Sequence, residues 1–120
     1  MTKRIAILAI LSIFILGLTA VAADSNFGVG KVRTVTFNSS TKVAGTVLPA
    51  GEYKVLHLME GDNHIMVFKT MNNKEKARVK CTMLKLDKKA DQTFSELKTV
   101  DNQSVLTGLV FAGDTYRHSF

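Results

Sequence analysis

The chain has 120 residues, a formal net charge of +6, three histidines, one cysteine and one proline. This length suits one small domain with a modest hydrophobic core. A single cysteine excludes an internal disulfide, so the domain must be stabilised by packing alone. Basic residues are scattered among acidic ones, without the basic run and stacking aromatics typical of nucleic-acid binding, so we predict no nucleic-acid partner.

The first residues have the pattern of a secretory signal peptide. Lys3 and Arg4 precede an apolar run from Ile5 to Leu18, and small residues that suit cleavage after Ala22 or Ala23 follow. The apolar run is shorter than the ~20 residues of a spanning helix, which disfavours an uncleaved anchor. We therefore predict a signal peptide over 1–23, a single β domain over 24–120, no membrane span after cleavage, and a secreted or periplasmic location.

The rest of the chain consists of short segments rich in β-branched residues or alternating apolar and polar residues, which predict strands. These segments are Lys31–Phe37, Thr41–Leu48, Glu52–Met59, His64–Thr70, Ala77–Leu86, Thr93–Val100, Ser104–Phe111 and Thr115–Phe120. Gly45 predicts a bulge in the second strand. Seven to eight such strands predict an all-β fold, a small antiparallel β-sandwich or partly open barrel, preceded by the signal-peptide helix.

The segment from Val43 to Val55 predicts a corner between strands. Pro49 suits the second position of a turn, and Gly51 suits a positive φ. The motif V-x-G-x-x-L-P-A-G-E-Y-x-V at 43–55, with G-L-V-F-A-G-D-x-Y at 108–116, resembles small uncharacterised secreted β-proteins of environmental bacteria. The corner is also similar, more distantly, to that of carboxypeptidase-regulatory-like and other β-sandwich modules. The resemblance implies a secreted β fold and adds no catalytic residue.

Turn lengths predict which residues of neighbouring strands lie opposite each other. A loop at 60–63 places His57 opposite Met66, and a loop at 71–76 then places Met66 opposite Cys81 and His64 opposite Met83. One face of these three strands is the more apolar, and we predict that it faces the core. It carries Tyr53, Val55, His57, Met59, His64, Met66, Phe68, Val79, Cys81 and Met83.

One end of this core face combines His57, His64, Met66 and Cys81. Imidazole, thioether and thiolate ligands together suit Cu(I). The favoured interpretation is structural: methionine fills the end of the core, Cys81 is a small apolar side chain, and the two histidines lie half exposed at its rim. We therefore predict no resident cofactor, and keep copper at these four residues as the alternative. His118, near the C-terminus, is predicted to lie on the surface.

The opposite face of the same strands has an apolar group ringed by basic side chains. Another sheet could bury this group, or it could stay exposed and bind a partner; burial within a sandwich is favoured. The apolar residues are Leu56, Leu58, Ile65 and Val67, and the basic ones are Lys54, Lys69, Arg78 and Lys80.

The chain has none of the sequence motifs of common catalytic sites. No serine lies in a G-x-S-x-G context, and the chain has no H-E-x-x-H and no P-loop. We therefore predict a protein that is not an enzyme. The favoured function is a structural or partner-binding role in the cell envelope, with an unidentified protein or envelope component as partner. The alternatives are a soft-metal (copper) carrier and a carrier of a small apolar ligand. The sequence leaves the oligomeric state open.

Overall fold

The computed structural model describes residues 27–120; the predicted signal peptide lies outside them. This part of the chain forms nine β-strands, which confirms the all-β fold class. Within it, no helix has the length and hydrophobicity needed to cross a membrane. The strands are β1 Val32–Phe37, β2 Thr41–Val43, β3 Thr46–Leu48, β4 Gly51–Glu60, β5 Asn63–Lys69, β6 Glu75–Lys85, β7 Phe94–Val100, β8 Gln103–Val110 and β9 Tyr116–Ser119.

Strand β6 joins two halves of a single sheet. Its first part, up to Cys81, pairs with β5, and its last part, from Thr82 to Lys85, pairs with β9. The strand order is β1-β4-β5-β6-β9-β8-β2-β3, and β7 pairs with β8. The pairs are antiparallel except for the parallel pair of β2 and β8. The sheet folds over at β6, so its two halves enclose one core, as in a sandwich or a partly open barrel.

Both halves contribute side chains to one hydrophobic cluster, which is Val35, Phe37, Val43, Leu48, Tyr53, Val55, Met66, Phe68, Ala77, Cys81, Leu106, Leu109 and Phe111. Phe68 stacks on Phe37 at 6.3 Å between ring centroids and meets Phe120 edge-on at 6.4 Å. Burial of a large apolar side chain is worth about 1.5–3 kcal/mol. The cluster is therefore the main source of stability in a domain whose one cysteine is free.

The segment predicted as one strand, Thr41–Leu48, forms two. Ala44 and Gly45 have φ of 50° and 84° and make the turn of a hairpin between β2 and β3. Two residues with positive φ are typical of the tight turn whose twist suits paired strands. The predicted bulge at Gly45 is wrong, and the extra hairpin gives nine strands where seven or eight were expected.

The predicted corner carries the chain from one half of the sheet to the other. β3 pairs with β2, whereas β4 pairs with β1 and β5, so Pro49 and Ala50 connect strands that are not partners. Gly51 has φ of 150°, which confirms the predicted positive φ. The Tyr53 hydroxyl donates to the carbonyl oxygen of Pro49 at 2.5 Å. Because Tyr53 is buried in the core, this bond ties the corner to the inside of the domain.

The pairing of β5 with β6 differs from the prediction by two residues, whereas the β4–β5 register is the predicted one. His64 lies opposite Cys81, where Met83 was expected. The reason is that β6 begins at Glu75 and the pairing shifts next to Lys69, so the connecting loop is shorter than predicted. Side chains alternate with a period of two, so a shift of two leaves each residue on its predicted face.

The outer apolar group is covered in part by an ion pair. Ile65 and Val67, both on the central strand β5, are buried, and the two leucines on β4 are half-buried. Arg78 Nη1 on β6 lies 2.6 Å from Glu60 Oε2 on β4. β5 runs between those strands, so this pair crosses its outer face, and the long arginine side chain shields apolar surface.

We predict that Gly51→Val destabilises the protein by more than about 1 kcal/mol, because a β-branched residue is strained at a φ of 150°. An added Cβ would meet no atom within 4 Å, so the expected loss comes from the backbone and not from a clash. The measurement is the urea midpoint at unchanged m-value. Ala50→Val, at the exposed neighbouring position, is the control. Equal midpoints for the two variants would contradict the prediction.

Candidate metal centre

The three histidines and the single cysteine of the chain meet at one end of the core. His57 is on β4, His64 on β5, Cys81 on β6 and His118 on β9, and these strands are successive neighbours in the sheet. Cross-strand pairing places His64 opposite Cys81 and Met83 opposite His118. The cluster therefore results from strand order and from the alternation of side chains along each strand.

The distances within this cluster are short. One nitrogen from each of His57 and His118 and the sulfur of Cys81 all lie within 4.8 Å of one another. Cys81 Sγ is 3.9 Å from His118 Nδ1. His57 Nε2 is 2.9 Å from His64 Nδ1, so the fourth side chain extends the group on one side. We refer to His57, Cys81 and His118 as the donor trio.

The donor trio is shielded from solvent, whereas His64 is not. His57 is 2% exposed, Cys81 5% and His118 0%. His64 is half-buried and lines a cleft of about 400 Å³, together with Cys81 and Met83. A small solute could therefore approach the cluster from the side of His64.

His57 has a defined orientation and tautomer. Its Nδ1 lies 2.9 Å from the carbonyl oxygen of Phe27, and since a carbonyl can only accept, Nδ1–H must donate. In the neutral ring Nε2 then has a free lone pair, which accepts the Nδ1–H of His64. Burial lowers the pKa of His57, and the Phe27 hydrogen bond opposes this in part. His57 is therefore a neutral imidazole that directs Nε2 into the cluster.

His118 is the most deeply buried of the histidines and is surrounded by rings. Phe111 and Tyr116 contact it edge-on, at centroid distances of 5.6 and 5.7 Å. Burial, and then the charges of His57, Arg33 and His64, lower the pKa of His118 to about 3. Its Nε2 is buried without a hydrogen-bond partner among the described residues. Buried polar atoms of this kind are uncommon and call for an explanation.

Cys81 is a protonated thiol in this environment. Burial raises its pKa to about 11. A buried thiol is a poor nucleophile because the thiolate is the reactive form. The thiol nevertheless lies next to a nitrogen of His118, and a cation bound there would favour loss of the thiol proton.

An ion pair lies beside the cluster and adds little net charge to it. Arg33 Nη1 is 2.8 Å from Asp114 Oδ2, and its guanidinium lies 4.5 Å above the centroid of the Phe111 ring. After burial, the Arg33 charge is among the causes that lower the pKa of His57 and of His118, and Asp114 opposes it at His57. The surroundings therefore favour uncharged imidazoles.

The structure brings together three of the four residues predicted as the alternative metal site, namely His57, His64 and Cys81. Met66, the fourth, lies opposite His57 and belongs to the hydrophobic core. The prediction that His118 lies on the surface is wrong, because the side chain is fully buried. A signal for this was present in the sequence: His118 alternates with Tyr116 and Phe120, which places it on the aromatic face of the last strand.

The chain matches no protein-family model, no curated protein and no solved structure. The resemblance to secreted bacterial β-proteins therefore stays a prediction. Any assignment of function must come from the geometry of the candidate site itself.

We predict that the metal-free protein loses stability as the pH falls. The unfolded chain binds a proton at His118 near the ordinary pKa of about 6.5, whereas the folded protein does so only near 3. The unfolded state thus binds more protons between those values, and the free energy of unfolding should fall by up to about 1.4 kcal/mol per pH unit.

The measurement is denaturant unfolding with a chelator present, at several pH values between about 7 and 5. Most carboxylates titrate below this range, so they contribute little to the slope. In His118→Phe, where the new ring joins Phe111 and Tyr116, the slope should be shallower. An unchanged slope would show that His118 is not the group responsible.

Proposed function

We propose that this chain is a secreted, non-catalytic β domain that binds Cu(I) through His57, Cys81 and His118. The observation that supports this proposal is the donor trio, whose donor atoms all lie within 4.8 Å of one another. Bonds of about 2.0 Å to nitrogen and 2.3 Å to sulfur place the ligands of one metal ion about 3–4 Å apart. Small movements of side chains would bring the trio to that geometry.

The chemistry and charge of the site favour a monovalent soft metal. Thiolate and imidazole are ligands that Cu(I) prefers. One thiolate and two neutral imidazoles form an uncharged centre with Cu(I), whereas a divalent ion would leave a net positive charge. Burying a net charge is costly, and the donor trio is almost fully buried. We therefore assign Cu(I) in preference to Zn(II).

The apo protein already holds part of the arrangement that a metal needs. A metal-binding histidine usually donates its second N–H to a carbonyl or a carboxylate, which fixes its tautomer. The bond from His57 to the Phe27 carbonyl is of this kind. In His118, Nδ1 lies next to Cys81 Sγ, and Nε2 has no hydrogen-bond partner among the described residues. Metal binding would make one of these two nitrogens a ligand.

His64 is suited to be a fourth ligand on the solvent side. Its Nδ1 is 2.9 Å from His57 Nε2, close to the separation of two nitrogens bound to one metal. The metal would displace the hydrogen bond between the two rings. Because His64 also lines the cleft, it connects the buried trio with solvent and provides a path for the ion.

A second candidate function, electron transfer, is favoured by Met83. Two histidines and a cysteine with a weakly bound methionine form the blue-copper type of site. Met83 lies opposite His118 and follows Cys81 by two residues. An intense visible charge-transfer band after oxidation of the copper form would support this role, and a colourless product would support carriage of Cu(I). The third candidate, an apolar-ligand carrier, has less support because side chains occupy the core.

We predict one high-affinity Cu(I) site per chain, measured by competition with a Cu(I) chelator under reducing, oxygen-free conditions. Cys81→Ser and His118→Phe should each lower the affinity at least about tenfold, since even residues that only orient ligands change metal affinity 10–100-fold. Met66→Leu, a core residue of similar volume outside the trio, is the matched control and should bind as the wild type does. Unchanged affinity in both ligand variants, with folding intact, would contradict the proposed function.

Binding should also release a proton from the thiol. The pKa of Cys81 is about 11, so at neutral pH the thiol must lose its proton to become a ligand, whereas His118 has none to lose. We expect about one proton per Cu(I) in weakly buffered solution near pH 7, and almost none with Cys81→Ser. Release of no proton by the wild type would mean that copper binds without the thiolate.

A further inference from the structure

We propose that two copies of this chain form a dimer by antiparallel pairing of their β7 strands, centred on Leu97. Among the described strands, β7 pairs only with β8 and lies off the main path of the sheet. Pairing two such edges would continue the sheet from one copy into the other. The contact would use the same residues on both copies, as a two-fold symmetric interface requires.

β7 has limited edge protection: two charged side chains, Glu96 and Lys98, and a shift in its pairing with β8 between Glu96 and Leu97. It is seven residues long, and its sequence, FSELKTV, contains no proline or glycine. Three large apolar side chains along it are exposed to a similar degree: Phe94 by 42%, Leu97 by 48% and Val100 by 44%. In an antiparallel pair, alternate residues direct their N–H and C=O groups away from the first partner. A long edge with such free groups and exposed apolar side chains on both of its faces is a template for another strand.

The β7 sequence is complementary to itself in one register. A two-fold axis perpendicular to the sheet places one residue opposite its own copy. With Leu97 at the axis, Glu96 lies opposite Lys98 twice, and Phe94 lies opposite Val100 at both ends. Opposite charges and apolar pairs across strands are each worth about 0.2–1 kcal/mol.

The neighbouring registers are unfavourable. A shift that puts residue 96 at the axis sets Glu96 against Glu96, and a shift that puts residue 98 there sets Lys98 against Lys98. Like charges directly opposite each other are destabilising. The charges therefore select the register centred on Leu97, and they select a second copy of this strand as the partner.

Glu96 is already engaged within its own copy, where its carboxylate extends over β8 toward β9. Its Oε1 forms an ion pair with Arg117 Nε, and both side chains lie over Gly108, where an added Cβ would clash with them. The long side chain of Lys98 from the second copy would have to extend across β7 to reach the other oxygen, Oε2. Because Glu96 is already ordered, little side-chain entropy remains to be lost when the pair forms.

The other long edge of the sheet is less suitable. β1 pairs only with β4 among the described strands. Its sequence, VRTVTF, contains a basic residue and no acidic one, so no register gives it a complementary charge pair. Arg33 is also engaged with Asp114 beside the candidate metal centre. We therefore assign the dimer contact to β7 alone.

Sedimentation velocity of the purified protein tests the proposal. The concentrations extend to about 1 mM, because a dimer held by one strand edge can have a dissociation constant that high. The wild type and Lys98→Arg should both dimerise with rising concentration. Lys98→Glu should dimerise at least about tenfold more weakly, because it sets two carboxylates opposite each other at two places. Lys76→Glu, on the exposed side of β6, makes the same charge change elsewhere and should behave as the wild type does.

A cross-link tests the register itself. Leu97→Cys places one thiol opposite its own copy, at a separation of about 4.5–5.5 Å between Cα atoms that suits a disulfide. Mild oxidation should then yield a covalent dimer, whereas the wild type should not, because its only cysteine is buried. A monomeric wild type at all concentrations would overturn the dimer. Dimerisation of Lys98→Glu like the wild type, or failure of Leu97→Cys to cross-link, would overturn the assigned register.

Discussion

The arrangement of the whole domain depends on strand β6, which pairs with β5 along its first part and with β9 along its last. This one continuous strand turns the sheet over on itself and lets the inner faces of both halves form a single core. It also holds the candidate metal centre together. Cys81 is the last residue that pairs with β5, so it lies where His57 and His64 from one half meet His118 from the other.

The donor trio is buried at one end of the core, and this burial has electrostatic consequences. Burial lowers the pKa values of His57 and His118 and raises that of Cys81, so all three are uncharged in the apo protein. Uncharged polar groups still cost free energy to bury when they lack partners. His57 is satisfied by Phe27, whereas one nitrogen of His118 is not. A cation with a single positive charge, bound to the Cys81 thiolate and the imidazole nitrogens, would give these groups a partner and leave no buried net charge.

The two proposed contacts use different parts of the sheet. The cleft beside His64 and Met83 belongs to β5 and β6, whereas β7 is separated from β6 by β8 and β9. Pairing at β7 would therefore extend the sheet without covering the cleft. A dimer of this form would present two candidate metal centres, each with its own access to solvent.

The sequence by itself determined the class of fold, most strand positions, the corner at Pro49 and the face on which each side chain of β4, β5 and β6 lies. These follow from local chemistry: alternation has a period of two, and turns need particular residues. The turn at residues 44 and 45, where a bulge was expected, was not predicted from the sequence. It needs a positive φ at Ala44, which the residue type does not indicate. Only the tertiary structure decided that His64 faces Cys81 and that His118 is buried beside them. Both depend on where a loop ends and on which distant strand lies next to β6. Local alternation indicated only that His118 shares a face with Tyr116 and Phe120, and it could not indicate which strand that face would meet.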